Sequence, residues 1–270
     1  MIADMYKRRE KLGYVFTVVI LLITALWPLY QPPETAGEWL EMLVFLLPLG
    51  LVLSIIAASR FNYNKVKDII IPPSEKQLPD LQHVVLKKDA AFVPRLLLFE
   101  KDGAFIGIVK PINLPWWMAP LGLLQESVLH FLPVTYGLVL HHGKTACTFR
   151  KTGGFKRVKL MIFNEEKEET GTYIQEEWKS FTQMKGSLYD EHGEERIALK
   201  TSGFSGDFKW YDAEGRKWAS FYNGWFPHEY TNLFRDMQND IVELSDDLSH
   251  QDKIRIISVI SWLFLARIQQ

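Results

Sequence analysis

Residues 254–268 read IRIISVISWLFLARI, and this stretch decides how the rest of the chain is organised. Apolar side chains fall on nearly every face of the helix that it would form, so that helix must be buried on all sides or span a membrane. The stretch has only 15 residues, with Arg255 and Arg267 inside its ends, whereas a membrane span needs about 20 apolar residues. We therefore expect a C-terminal core helix that is surrounded by strands.

Upstream of this helix, short apolar or alternating runs recur at spacings of roughly 8–12 residues, a pattern typical of an antiparallel barrel or sandwich. The dipeptide Asp102-Gly103 between two runs is a strong hairpin signal, and Gly143, Gly193 and Gly215 mark similar turns. The ten strands that this pattern predicts cover residues 93–100, 104–109, 136–141, 145–151, 155–163, 172–178, 186–190, 196–201, 207–212 and 217–223.

The segment immediately before the core helix has a different period. Its apolar residues fall at helical spacing, and they are Tyr230, Leu233, Phe234, Met237, Ile241 and Leu244. This spacing predicts a one-sided amphipathic helix that ends near Leu244.

A second unusual segment, Leu114–Pro133 (LPWWMAPLGLLQESVLHFLP), is far more apolar than its surroundings. Polar residues, among them Glu126 and His130, interrupt it and argue against a membrane span. The segment is then either a helix packed on the barrel or a helix in the bilayer interface, with Trp116 and Trp117 at head-group depth.

Two uncharged runs, residues 12–30 and 42–59, precede the β-rich region and have 19 and 18 residues. As helices they would be about 27–29 Å long, close to the hydrocarbon core of about 30 Å. We expect both to be transmembrane helices, with a kink at Pro48 in the second. The alternative for the first run is a cleaved signal peptide, but Gln31-Pro32-Pro33 stands where a small-residue cleavage site is needed.

Charges around this hairpin predict its orientation. The connecting loop is acidic, with Glu34, Glu38 and Glu41. The cations stand before the first run and after the second, and they are Lys7, Arg8, Arg9, Lys11, Arg60, Lys65 and Lys67. Because cations are retained on the cytosolic side, we expect a multi-pass cell-membrane protein with two spans and with both the N- and C-termini in the cytosol.

The sequence therefore divides into three parts. Residues 1–60 form the transmembrane hairpin, residues 61–80 a proline-containing linker, and residues 81–270 the barrel with its core helix at 254–268. The predicted fold class is a membrane-anchored, mostly β protein, in which two N-terminal transmembrane helices are followed by an antiparallel β-barrel that encloses a hydrophobic C-terminal helix.

The succession of antiparallel strands, acidic-glycine turns and one wholly hydrophobic terminal helix resembles the tubby-like superfamily. The stretches that carry the resemblance are LYDEHGEERIAL (188–199), DFKWYDAEGRKWASF (207–221) and residues 254–268. That superfamily includes tubby C-terminal domains, plant LURP-one-related proteins and phospholipid scramblases. The resemblance covers about residues 80–270 and implies a barrel of twelve strands around the helix, with binding to membranes and lipid head groups. The N-terminal hairpin departs from the pattern, and no ligand motif maps onto individual residues.

The sequence carries no catalytic signature that withstands inspection. Residues 143–145 (GKT) resemble the end of a phosphate-binding loop, but the required earlier glycine is missing and a predicted strand follows instead of a helix. Residues 228–229 (HE) lack the second histidine of a zinc-protease motif. The single cysteine, Cys147, excludes an intrachain disulfide and a cysteine zinc cluster. A net charge of −1 creates no general attraction for nucleic acid.

One predicted hairpin is strongly cationic. Between residues 150 and 159 it carries five cations and no acid, namely Arg150, Lys151, Lys156, Arg157 and Lys159. Near an anionic leaflet each cation contributes about 1 kcal/mol of attraction, so we identify these five residues as candidate lipid-binding residues. The alternative is a solvated hairpin whose charge is balanced by the acidic run at residues 165–169.

The leading functional hypothesis is a non-enzymatic, membrane-tethered binding module whose cytosolic barrel contacts anionic lipid head groups or a membrane-associated protein partner. The alternative, from a different class, is a phospholipid-translocating protein of the scramblase type, and lipid binding without translocation would distinguish the two. We expect membrane lipids and possible membrane proteins as partners, and no nucleic acid, cofactor, metal or catalytic residue.

Overall fold

Three helices occupy the N-terminal part of the chain in the computed structural model: α1 (Ile2–Tyr30), α2 (Ala36–Met42) and α3 (Leu47–Val66). The chain divides into two compact units, residues 1–70 and 71–270. The residues that the structure describes are 1–89, 95–114, 134–154, 157–176, 185–200, 208–224, 233–234 and 239–266.

Helices α1 and α3 pack against each other as an antiparallel hairpin. The ammonium group of Lys7 lies 5.8 Å from the ring centroid of Tyr63, and Gly13 lies against Ile56, so the start of α1 meets the end of α3. A Cβ atom at Gly13 would stand 2.5 Å from Cγ1 of Ile56. The glycine therefore lets the two helices approach more closely than any side chain there would allow.

Helix α1 is the one helix among the described residues that is long and apolar enough to cross a membrane. The predicted second span, residues 42–59, does not form one continuous helix. Of the two predicted spans, the structure therefore supports only the first among the described residues. A 3-10 turn covers Leu43–Leu46, and α3 begins one residue before Pro48, because proline is tolerated in the first turn of a helix but not in its interior. Helix α3 then continues into polar residues as far as Val66.

The second unit is built from antiparallel strands. The twelve described strands are β1 (His83–Asp89), β2 (Arg95–Phe99), β3 (Phe105–Pro111), β4 (Thr135–Leu140), β5 (Thr145–Gly154), β6 (Arg157–Phe163), β7 (Glu169–Glu176), β8 (Lys185–Asp190), β9 (Glu195–Lys200), β10 (Phe208–Tyr211), β11 (Lys217–Gly224) and β12 (Asn239–Leu244). They form one sheet in the order β10-β11-β12-β1-β2-β3-β4-β5-β6-β7-β8-β9.

This sheet is a nearly closed barrel. Consecutive strands pair from β1 to β9 and from β10 to β12, and β12 pairs back with β1. The seam lies between β9 and β10, where the indole Nε1 of Trp210 donates a hydrogen bond to the carbonyl oxygen of Lys200 at 3.2 Å. A wall that closes almost completely leaves few unpaired strand edges.

Two of the twelve strands were not predicted from the sequence, and the prediction of a helix is wrong for residues 239–244. Those residues form β12, which fills the place between β11 and β1 in the sheet. Ile241 and Leu244 have a helical spacing. The segment nevertheless forms a strand, because the backbone groups of β1 and β11, which flank it, require hydrogen-bonding partners. The other unpredicted strand, β1, shows no alternation of apolar and polar residues, because it is buried along most of its length and its buried residues include Lys87 and Asp89.

Helix α4 (His250–Ala266) lies inside the barrel, and its side chains from Ile254 to Leu265 are all buried. The ring of Phe264 lies 4.8 Å from that of Phe221 in β11. On another part of the wall, Trp262 packs edge-to-face against Tyr136 in β4, at 6.4 Å between ring centroids. The prediction of a mostly β barrel with a C-terminal core helix is confirmed, although the helix begins four residues before the predicted Ile254.

Polar groups fix the first turns of α4 to the wall. The buried guanidinium group of Arg255 donates from Nε to the carbonyl oxygen of Thr170 (2.7 Å) and from Nη1 to the carboxylate of Asp252 (2.6 Å). Its Nη2 forms an ion pair with Glu191 in the β8–β9 turn. A buried charge is tolerated only when it is paired and hydrogen-bonded in this way, so these bonds select one position of α4 along the barrel axis.

Residues 71–80, the second half of the predicted linker, belong to the barrel unit. The hydroxyl of Ser74 donates to Oε1 of Glu100 at 2.5 Å, and the ammonium of Lys76 lies 2.5 Å from Oε2 of the same carboxylate. Farther along, the buried ammonium of Lys253 in α4 donates to the carbonyl oxygen of Leu81 at 3.2 Å. The segment is therefore tied both to the wall and to the core helix.

Because α4 is the core of the barrel, a charged side chain introduced in the middle of this helix should destabilise the fold. We expect Val259→Asp to abolish the cooperative unfolding transition of the full chain in neutral detergent, because Val259 is fully buried. An unpaired buried carboxylate costs several kcal/mol, against a total stability of about 5–15 kcal/mol. Circular dichroism during denaturant titration measures the transition.

The matched control is His250→Asp, an exposed position in the first turn of the same helix. There an acid is favourable near the helix N-terminus, and we expect a change within about 0.5 kcal/mol. Equal and small effects of the two substitutions would contradict the placement of α4 in the core.

Candidate functional site

The predicted cationic hairpin consists of β5 and β6, and its cations do not share one face. Arg150, Arg157 and Lys159 are exposed on the outer face of the barrel. Lys151 lies on the inner face because side chains alternate along a strand. Its ammonium group lies 5.6 Å from the ring centroid of Trp262 in α4, and the residue is only 7% exposed.

Three other predicted site residues, Lys156, Trp116 and Trp117, lie outside the described residues. The same holds for the apolar segment in which the two tryptophans stand, beyond its first residue, Leu114. The structure therefore brings together three of the five candidate lipid-binding cations on one surface and places a fourth in the core.

The acidic run lies at the far end of β6 from Arg157 and Lys159. It forms the β6–β7 turn, where Glu165 makes an ion pair with Lys144 of the neighbouring turn at 2.7 Å. Arg157 and the end of β6 at Phe163 are separated by about 20 Å at the rise of an antiparallel strand. The turn acids are thus too distant to neutralise the cationic end of the hairpin by direct pairing.

An open groove of about 890 Å³ runs over the outer face of β6, β7 and β8. Its volume is in the range of small-molecule sites. The residues that line it are Gly153, Arg157, Lys159, Glu169, Thr172, Ile174, Tyr189, Asp190, Glu191 and Gly193. Two of the cations that the sequence singled out therefore belong to a concave site.

The strand register places the cations and the acids of the groove at different ends. Lys159 lies opposite Ile174 of β7, whereas Asp190 lies opposite Gly171 of the same strand. Thr172, between these two levels, lies opposite Tyr189. The groove consequently has a cationic end at Arg157 and Lys159 and an acidic end at the β8–β9 turn. Asp190 there shares the face of Gly171 and not that of Lys159, because Gly171 and Ile174 are three residues apart on β7.

The acidic end is connected to the core helix. Glu191 lines the groove and forms the ion pair with the buried Arg255 of α4. Below it, Gly171 allows this close approach, because a Cβ atom there would stand 2.5 Å from the carbonyl oxygen of Tyr189 and 3.1 Å from Nε of Arg255. The contact with Arg255 of the core helix thus determines the position of Glu191 in the groove wall.

Sequence reasoning identified the cations of the groove but not its other lining residues. In the sequence, Glu169 belongs to an acidic run, and Tyr189 and Asp190 belong to a predicted hairpin that has no functional assignment. They come from different hairpins, and only the register of β6 with β7 and of β7 with β8 brings them together. A single sequence carries no signal for that register between distant turns.

The groove supplies charge pairing and hydrogen bonding. Among the described residues, no group of three or more His, Cys, Asp or Glu side chains is arranged to hold a metal ion. The thiol of Cys147 lies far from the outer face, beside the Ser258 hydroxyl at 3.5 Å. Burial raises the pKa of this thiol to about 11, so the reactive thiolate is scarce at neutral pH.

Comparisons with known proteins return no relative: no family model, curated protein or solved structure matches this chain.

The opposite faces of Arg150 and Lys151 predict opposite responses to charge reversal. We expect Lys151→Glu to lower the free energy of unfolding by about 3–5 kcal/mol, because it places a carboxylate in the core against the negative face of the Trp262 ring. Arg150→Glu, one residue earlier and exposed, should change it by less than about 0.5 kcal/mol. Denaturant titration of both full-length variants measures the difference, and equal effects would refute the assignment of faces.

Proposed function

We propose that this protein is a non-enzymatic, membrane-tethered binding module whose barrel holds the phosphate of an anionic lipid head group. The observation that carries the proposal is that Arg157 and Lys159 line the groove without an ion pair to any carboxylate among the described residues. Phosphate is recognised by such a combination, in which arginine supplies a planar fork of donors and lysine a compact charge.

Other cations of the same hairpin support this reading. Arg150 is exposed on the outer face of β5, and Lys156 precedes Arg157 directly in the sequence. Each cation close to an anionic leaflet adds about 1 kcal/mol of attraction. Contacts this weak become effective when a tether keeps the domain near the membrane, because the effective concentration of lipid is then high.

The tether that we propose is a two-span hairpin of α1 and α3. Helix α1 satisfies the length and composition of a span. For α3, the support is its packing along α1 and its exposed apolar side chains, including Leu47, Leu51 and Leu53, which are costly in water. From the cation distribution we further propose that both termini lie in the cytosol of a cell-membrane protein.

We also propose that the barrel belongs with the tubby-like superfamily. The support is the agreement between the twelve-stranded barrel around a C-terminal helix that this resemblance implies and the order and number of described strands. The lipid-binding property of that superfamily is consistent with the charged groove.

The orientation of the anchor predicts the accessibility of introduced thiols. In intact cells, Ala36→Cys in the loop helix α2 should react with a membrane-impermeant maleimide, whereas Ala213→Cys in the β10–β11 turn should react only after the membrane is permeabilised. Both positions are exposed, and the native Cys147 is buried, so labelling reports the introduced thiol. The reverse pattern would refute the cytosolic placement of the barrel.

Charge reversal in the groove tests the binding function. We expect Arg157→Glu with Lys159→Glu to reduce the affinity of the full chain for dihexanoyl phosphatidylglycerol by at least about tenfold, because two phosphate contacts become repulsive. The measurement is isothermal titration calorimetry in neutral detergent. The affinity of the wild type should also fall between 0.1 M and 1 M salt, as the Debye length shortens from about 10 Å to about 3 Å.

Lys209→Glu is the matched control, because Lys209 is an exposed cation on β10, two strands from β8 across the seam. It should leave both affinity and stability unchanged. Equal losses from the control and the groove variant would indicate general charge attraction, and binding that ignores charge and salt would contradict the proposed function.

A further inference from the structure

Two lysines lie directly opposite each other in the β8–β9 hairpin. Lys185 pairs with Lys200 in the strand register, and both residues are exposed. Leu188, three residues along β8, and Leu199, next to Lys200, belong to the buried core. Because side chains alternate along a strand, both lysines are on the outer face of the barrel, where they form a like-charged cross-strand pair.

This pair is unfavourable for the fold by itself. Directly opposite residues of an antiparallel pair have Cβ atoms about 5 Å apart, and like charges at this spacing destabilise the sheet. Neither Lys185 nor Lys200 forms an ion pair with a carboxylate in the part of the chain that the structure describes. An anion bound between the two ammonium groups would remove the repulsion, and a locally unfavourable arrangement of this kind is expected at a functional site.

The lysine pair shares its face with the cationic end of the groove. Arg157 of β6 lies opposite Glu176 of β7, and Glu176 lies opposite Lys185 of β8. Because opposed residues share a face, Arg157, Lys185 and Lys200 belong to one row on the outer face. At a strand spacing of about 4.8 Å, Lys185 is about 10 Å from Arg157 across the sheet. The row contains three cations and one acid.

Lys159 adds a further cation to this face, two residues after Arg157 on β6. The row that contains Lys159 continues through Ile174 and Ser187 to Ala198 and brings no acid. The exposed acid of β9, Glu195, is at the other end of that strand from Lys200. The cations therefore cover the outer face of four neighbouring strands, β6 to β9, which is wider than a site for one head group.

We infer that Lys185 and Lys200 form a second anion site, which holds the phosphate of one lipid while Arg157 and Lys159 hold that of a neighbouring lipid. The barrel then lies with the outer face of β6–β9 on an anionic leaflet. This inference rests on the proposed function, to which it adds a second site and the surface that meets the membrane. The occupant is a leaflet, because two separate sites on one face fit two lipids side by side, whereas a single phosphate group reaches only one site.

The test uses the full chain in nanodiscs of phosphatidylcholine with an increasing fraction of phosphatidylglycerol. A fluorophore on Ala198→Cys, an exposed position on β9, reports membrane contact through quenching by lipids that carry a nitroxide on the head group. The native Cys147 is buried, so the label is specific. We expect quenching at position 198 to grow with the phosphatidylglycerol fraction, and a fluorophore on Ala213→Cys in the β10–β11 turn to stay unquenched.

The informative variant is Lys185→Gln with Lys200→Gln, which removes both charges and keeps polar side chains on the surface. Because each cation near an anionic leaflet adds attraction, the ratio of membrane-bound to free barrel should fall by about tenfold. The matched control is Lys110→Gln with Lys167→Gln, which removes the same charge from exposed positions on β3 and in the β6–β7 turn. The control should leave the ratio unchanged.

Stability separates a ligand site from a structural role of the two lysines. Neutralising a repelling pair should leave the denaturant midpoint of the full chain in neutral detergent unchanged or raise it. A lower midpoint for Lys185→Gln with Lys200→Gln would mean that the lysines support the fold, and this result would overturn the inference.

The remaining outcomes distinguish this inference from the proposed function. Quenching at position 198 that is absent at every phosphatidylglycerol fraction, or unchanged in the Lys185 and Lys200 variant, would overturn the second site and leave the groove site standing. Sodium phosphate and sodium chloride of equal ionic strength should weaken the quenching equally, and a larger effect of phosphate would overturn the assignment to a leaflet. If reversal of Arg157 and Lys159 leaves binding of the short-chain lipid unchanged, the proposed function is wrong and this inference falls with it.

Discussion

Burial of a helix that is apolar on every side is the constraint from which the rest of the barrel follows. From Ile254 to Leu265 every side chain of α4 is buried, and each fully buried aliphatic or aromatic side chain contributes about 1.5–3 kcal/mol relative to exposure. An open sheet could cover only one side of such a helix. The sheet must therefore continue around it, and the alternation of side chains along every strand then assigns one face to α4 and leaves the other face free for polar residues.

Burial of α4 also determines part of the outer surface of the barrel. Arg255 cannot stay buried without partners, and the partners that it takes include Glu191, which stands in the wall of the groove. Gly171 provides the space for this contact. The acidic end of the groove is thus anchored to the core, while Arg157 and Lys159 are anchored only by their strand. A site that is held by buried elements is better pre-organised for a ligand than one carried by loops alone.

Much of this architecture can be predicted from the sequence, because the decisive signals are local. The apolar helix and ten of the strands follow from periodicity and from turn residues. The inward position of Lys151 was also accessible, since it stands two residues after the buried Phe149 on the same strand. The features that could not be predicted depend on partners that are distant in the sequence. The residues of β12 have a helical spacing, yet they form a strand because β1 and β11 pair with it on either side. The acids and cations of the groove come from different hairpins, and only the strand register brings them into one groove. In the second apolar run, residues 42–59, the composition predicts one helix, but the helix α3 begins only one residue before Pro48.

We propose that the apolar anchor, the barrel and the groove with separated charges serve one function, contact with phospholipid head groups at the membrane that holds the protein. The most direct measurement places a photoreactive benzoylphenylalanine at Ile174, on the groove floor, or at the exposed Tyr222 on β11, four strands from β7 across the seam. Full-length protein is irradiated in native membranes and analysed by mass spectrometry. If the proposal is correct, position 174 forms phospholipid adducts and position 222 forms few. Adducts with protein alone at position 174, or equal lipid adducts at both positions, would contradict it.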